Sequence, residues 1–132
     1  MTTPHSVKIV NKPNGKGLGR ILKATHCSIK GFSAAWQHES AFRQELMMVV
    51  ILLPFAFILC SSFNHLLLLI SSLLLVLFAE IINSAIEALA DAITLEHHIL
   101  IGRAKDMGSA GVFIALSVMV MIWSYAVYQY QF

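Results

Sequence analysis

The sequence predicts an all-α membrane protein, with three transmembrane helices preceded by an N-terminal amphipathic surface helix. Three observations predict it. First, 58% of the 132 residues are hydrophobic and only 12% are charged, whereas a soluble domain is about half apolar and about a quarter charged. Second, three apolar stretches are long enough to cross a hydrocarbon core of roughly 30 Å: residues 46–63, the run that starts at Leu66, and residues 108–132. Third, seven of the nine Lys and Arg residues lie before Leu46, namely Lys8, Lys12, Lys16, Arg20, Lys23, Lys30 and Arg43. A basic N-terminal third beside apolar helices suits an anionic membrane surface or a phosphate-bearing ligand. Nucleic acid is not an expected partner, because these charges are spread out and accompany no reader motif.

Residues 1–16 are polar, contain Pro4 and Pro13, and show no apolar periodicity. They are expected to form a mobile N-terminal tail, leaving 17–132 as the integral membrane domain. The tail lacks the apolar core of a cleaved signal peptide. Residues 14–20, N-G-K-G-L-G-R, are glycine-rich and basic. Lys16 is not followed by Ser or Thr and no strand precedes it, so the reading is a turn and not a phosphate loop.

Residues 21–44 read as an amphipathic helix with a break near Gly31. Ile21, Leu22, Ile29, Phe32, Ala35, Trp36 and Phe42 supply its apolar side, and Lys23, Lys30, His38, Glu39 and Arg43 its polar one. That pattern, with Trp36 at an interface, suits a helix lying along a membrane surface. Glu39 and Arg43 stand at i,i+4, a spacing that lets them pair on the helix surface.

The first span, residues 46–63, carries no charge, and Pro54 inside it is expected to kink it. Asn64 and His65 make the polar break before the next apolar run, so the turn is short and its flanking helices are antiparallel neighbours. His65 is expected in the loop, facing water. Cys27 and Cys60 flank the first span, sit near opposite faces, and are expected to be free thiols. His97 and His98 are adjacent and point in different directions on a helix, so they read as loop or helix-end residues with no zinc-site spacing.

Residues 66–95 are too long for one thickness of hydrocarbon, so the second half of this helix is expected to emerge from the membrane. That half contains the stretch around which the chain is organised, A-E-I-I-N-S-A-I-E-A-L-A-D, residues 79–91. Glu80, Asn83, Glu87 and Asp91 follow at steps of three, four and four. At about 100° per residue these side chains fall on one face of a helix. A helix that has left the bilayer can carry such a face as a wet surface. Ionisable residues at membrane depth, above all Glu80 between Phe78, Ala79, Ile81 and Ile82, point to function.

Residues 96–107 are read as the link to the last span and contain Gly102, Arg103, Lys105 and Asp106. The third span, residues 108–132, opens on Gly108, Ser109, Ala110 and Gly111, small residues that permit close helix contact. It ends on Trp123, Tyr125, Tyr128 and Tyr130 as an interfacial belt. Every Lys and Arg lies in the N-terminal segment or the 96–107 link, so both are expected on the cytoplasmic side. Glu39, Glu80, Glu87, Arg103, Lys105 and Asp106 then share that side. Carboxylates and fixed cations at a membrane surface can hold a divalent metal and a polyphosphate.

Three segments carry a resemblance. E-x-A-F-R-Q-E (39–45), E-I-I-N-S-A-I-E-A-L-A-D (80–91) and G-R-A-K-D-M-G-S-A (102–110) closely resemble the prokaryotic diacylglycerol kinase family, in matching order and separation. The resemblance runs from about Gly17 to the end of the third helix. It implies a homotrimeric lipid kinase of the bacterial inner membrane, with active sites shared between subunits at the cytoplasmic surface. The implied reaction moves the γ-phosphate of MgATP to the hydroxyl of diacylglycerol and gives phosphatidic acid. By the same resemblance Glu80 is the general base, and Glu39 and Glu87 are ligands of Mg2+. Arg20, Lys23, Asn83, Lys105 and Asp106, with Glu39 and Glu87, form the ATP site. Ser28, with Glu80, lies near the lipid substrate. These roles suit the residue types: Lys105 is a point charge for a phosphate, and Glu80, nearer the hydrocarbon than Glu87, is placed to meet a lipid hydroxyl. Relatives of this fold phosphorylate undecaprenol instead, which is the alternative substrate. A small ion-coupled transporter would use one intramembrane glutamate and leave the other carboxylates and the basic link idle.

Overall fold

The computed structural model describes residues 16–132, so the expected tail of residues 1–16 lies almost wholly outside the described residues. Four α-helices follow in order: α1 (Leu18–His38), α2 (Ser40–Leu59), α3 (Phe63–Ile93) and α4 (Ile99–Gln131). The last three are long and apolar enough to cross a membrane. No strand occurs among the described residues. The chain divides into two compact units, with the boundary between Ser33 and Ala34 inside α1.

In the first unit, Gly17 adopts a φ of 63°, a conformation open to glycine at no steric cost, and its carbonyl accepts from Arg20 N at 3.1 Å as the helix starts. Thr25 and Ser28 turn their hydroxyls back to the carbonyls of Ile21 and Ala24, each at 3.0 Å. Leu18, Ile21, Leu22, Ile29 and Phe32 are exposed. The expected break near Gly31 does not occur, because α1 runs on to His38. One glycine costs a helix only about 1 kcal/mol, too little to end it.

The second unit begins with the last turn of α1. The real break comes at Glu39, whose extended backbone (φ −110°, ψ 109°) makes it the N-cap of α2. Arg43 Nη1 donates across the break to the carbonyl oxygens of Trp36 at 2.8 Å and Gln37 at 3.4 Å. A cation there satisfies carbonyls left open by the helix end. No Glu39–Arg43 ion pair forms among the described residues; the guanidinium goes to backbone oxygens. Phe42 and Arg43 therefore belong to the first span and not to a surface helix. Pro54 sits inside α2, which continues to Leu59.

The turn is Cys60–Ser62 and not Asn64–His65. Ser62 caps α3, its Oγ accepting from His65 N at 3.2 Å, which pulls Asn64 and His65 into the first helical turn. His65 is 9% exposed, contrary to a loop residue facing water. Its Nδ1 accepts from Ser61 N at 3.2 Å and its ring lies 6.3 Å from that of Tyr125. Cys27 and Cys60 are both free thiols.

The 31 residues of α3 reach about 46 Å at 1.5 Å per residue. This helix is central, packing most extensively on α4 and less on α2. Leu69, Leu73 and Val76 are fully buried between Val49 and Ala56 of α2 and Ala115, Met119, Trp123 and Ala126 of α4. Between helices in lipid, burial brings little hydrophobic gain, so close fit and polar contacts matter more. Three alanines in this core let the helices approach. Trp123 Nε1 donates to Ser72 Oγ at 3.1 Å, and that hydroxyl donates to Leu69 O at 2.7 Å. Large apolar side chains face outward along all three helices, among them Val50, Phe57, Leu74 and Phe113, which suits lipid as the surrounding solvent.

Residues 94–98 join α3 to α4, with His98 as the N-cap of α4. Gly102, Arg103, Lys105 and Asp106 therefore occupy its first two turns and are not part of a loop. A polar helix start is consistent with a helix longer than the hydrocarbon it crosses.

Candidate functional site

The acidic face of α3 opens onto a polar cavity of about 490 Å³, whose lining includes Glu39, Glu45, Glu80, Asn83, Glu87 and Ser109. Four elements supply these groups. Glu39 comes from the break before α2 and Glu45 from the second turn of α2. Glu80, Asn83 and Glu87 come from successive turns of α3, and Ser109 from α4. The three-and-four spacing on α3 is why one cavity receives all three of its polar residues.

Glu80 is 4% exposed, and its Oε1 accepts from Ser84 Oγ at 3.4 Å. Asn83 Nδ2 donates to Glu87 Oε1 at 3.2 Å. Among the described residues, Glu45 Oε2 and Asn83 Oδ1 are buried polar atoms without a hydrogen-bond partner. Such atoms are costly unless something else meets them. Four carboxylates around one hollow repel each other, and no Lys or Arg is in the lining to offset them. The arrangement favours a cation.

The residues fit magnesium by their donor chemistry. Hard carboxylate oxygens are the ligands it prefers, and one or two suffice when phosphate oxygens and water complete the shell. Among the described residues no group of three or more His, Cys, Asp and Glu stands so that it could hold a metal ion by itself.

A smaller hollow of about 160 Å³ lies over the 94–98 link, lined by Asp91, Glu96, His97, His98, Gly102 and Lys105 among others. Lys105 Nζ makes an ion pair with Asp91 Oδ1 at 3.1 Å. Asp106 is exposed and lines neither hollow.

Of the residues singled out from sequence, Glu39, Glu80, Asn83 and Glu87 come together in the polar cavity, and Lys105 lines the smaller hollow. Arg20, Lys23 and Ser28 are exposed residues of the other unit. Three members of the site escaped sequence reasoning. Glu45 had a signal, since it is the last charge before a long uncharged span and so an ionisable group at a membrane boundary. Ser84 and Ser109 had none beyond helical spacing.

A family model described as prokaryotic diacylglycerol kinase matches residues 26–127. A curated relative named diacylglycerol kinase from Escherichia coli is 51% identical over 110 residues, covering 83% of this chain and 90% of the relative. One of the same name from Pseudomonas aeruginosa is 49% identical over 108 residues, covering 82% and 88%. Another from Haemophilus influenzae is 44% identical over 107 residues, covering 81% and 91%.

Proposed function

The chain belongs to the prokaryotic diacylglycerol kinase family, and we propose that it transfers the γ-phosphate of ATP to the free hydroxyl of diacylglycerol, giving phosphatidic acid and ADP for phospholipid metabolism. It is an integral membrane lipid kinase. The observation that carries the reading of the site is the cavity shared by Glu39, Glu80, Asn83 and Glu87 in an otherwise apolar bundle.

In this reading Glu80 is the general base. As the lipid oxygen attacks the γ-phosphorus, the bond to the β–γ bridging oxygen breaks, and Glu80 accepts the hydroxyl proton. Its burial keeps water from competing for the same carboxylate. Glu39 and Glu87 would hold magnesium, which would supply neutralisation of phosphate charge when bound with the nucleotide. Asn83 fixes Glu87 through its 3.2 Å hydrogen bond. Lys105 exchanges Asp91 for a phosphate oxygen of ATP. The family resemblance assigns Asp106, and on the first unit Arg20 and Lys23, to nucleotide binding, and Ser28 to the lipid headgroup. The catalytic domain is 17–132; residues 1–16 have no assigned role.

Family membership also supports a homotrimer in the bacterial inner membrane with sites shared between subunits. The Lys and Arg asymmetry supports a cytoplasmic N-terminus and active site. The test of substrate is ATP-dependent phosphate labelling with diacylglycerol and undecaprenol in competition on the purified protein. Predominant phosphatidic acid is expected. Predominant polyprenyl phosphate assigns the other alcohol, and no lipid labelling at all overturns the kinase reading.

A further inference from the structure

Gly108 stands on α4 opposite Asn83. A Cβ on Gly108 lies 2.5 Å from Asn83 Oδ1 and 3.5 Å from Asn83 Cγ. The first distance is closer than two such atoms tolerate; the other near atom, Ile86 Cδ1 at 3.5 Å, is in ordinary contact. Gly111, three residues on, has nothing within 4 Å of the same position, so the crowding is specific to Gly108.

The crowded side chain has a fixed direction. Asn83 is 9% exposed, its Nδ2 donates to Glu87 Oε1, and its Oδ1 is buried without a hydrogen-bond partner among the described residues. Exchanging the amide oxygen and nitrogen would set an acceptor against the Glu87 carboxylate, so the network decides the orientation. Oδ1 must then point at α4, and only a residue without a side chain leaves it room. A hydrogen on Gly108 Cα points where the Cβ would lie, and such C–H groups are weak donors to carbonyl oxygens.

We propose that Gly108 is a positioning residue for the phosphoryl-transfer site: having no side chain, it keeps the Asn83 amide in the rotamer that holds the Glu87 carboxylate. The inference rests on the reading of Asn83 and Glu87 as members of the metal–nucleotide site. An alanine methyl at this point meets the free end of a side chain and not backbone. The fold yields cheaply by rotating Asn83, and the loss falls on Glu87, which forfeits an N–H donor.

The test measures Mn2+ binding by electron paramagnetic resonance, on full-length protein in micelles with a non-hydrolysable ATP analogue. Gly108→Ala should weaken Mn2+ binding about 10–100-fold, as loss of support behind a metal ligand does, with oligomer size and thermal unfolding unchanged. In an Asn83→Ala background the same substitution should add less than about twofold, because the displaced group is gone. Wild-type affinity in Gly108→Ala overturns the proposal, as does an equal loss in both backgrounds. Failure of Gly108→Ala to assemble with or without Asn83 also overturns it, since Gly108 then serves packing alone. Unchanged affinity in Asn83→Ala by itself removes Asn83 from the metal site and overturns the reading on which the proposal rests.

Discussion

Asn83 reaches Glu87 one turn along α3, its Nδ2 3.2 Å from Glu87 Oε1. Glu80, one turn the other way, takes its hydrogen bond from Ser84 at 3.4 Å. Neighbouring carboxylates on one helix face thus have different support: Glu87 is held by an amide beside the cavity, and Glu80 by a hydroxyl within the helix packing. Different support suits the different roles proposed for them, ligation for Glu87 and proton transfer for Glu80.

Removing one anionic oxygen from a small, hard cation weakens its binding. Glu39→Gln and Glu87→Gln should each raise the magnesium concentration needed for half-maximal activity and lower the rate. The check is a magnesium titration of both variants at saturating ATP. Unchanged titrations would remove Glu39 and Glu87 from the metal site.

The Lys105–Asp91 pair is largely exposed, with side chains 37% and 55% accessible, so water screens it and it should add little to stability. Asp91→Asn should leave thermal unfolding nearly unchanged. Lys105→Met should raise the KM for ATP, because a phosphate loses its point charge. Unfolding and ATP kinetics on both variants check this. A large stability loss in Asp91→Asn, or an unchanged KM in Lys105→Met, contradicts the division of roles.

Orientation is tested by the two free cysteines. Every Lys and Arg lies in the N-terminal segment or near the start of α4, and the proposed orientation puts both on the cytoplasmic side. An impermeant thiol reagent added outside intact cells should leave Cys27 unlabelled, and labelling of Cys27 there would invert the topology. Inverted vesicles should expose it.

Helical period carried much of the site in the sequence. Glu80, Asn83 and Glu87 share a face because 3.6 residues make a turn, and the structure puts all three in one cavity. Glu39 was harder to place. Periodicity ran it into one amphipathic helix, whereas its extended backbone begins a new one and turns the carboxylate toward α3. Hydropathy outlines a span but does not see caps. Ser62 draws His65 into α3, and His98 starts α4 early enough to make Lys105 helical. The crowding at Gly108 depends on how α3 and α4 meet, which local pattern does not contain.

As the proposed general base, Glu80 accepts the proton of the lipid hydroxyl. Glu80→Gln keeps the size and hydrogen-bonding reach of the side chain but cannot take that proton. The measurement is phosphatidic acid formation by purified protein of wild-type particle size, with MgATP affinity determined on the same sample. Turnover should fall by about 10²–10⁴-fold, the usual contribution of a positioned acid–base group, while MgATP affinity stays near wild type because Glu39, Glu87 and Lys105 remain. Near-normal turnover would exclude Glu80 as the base.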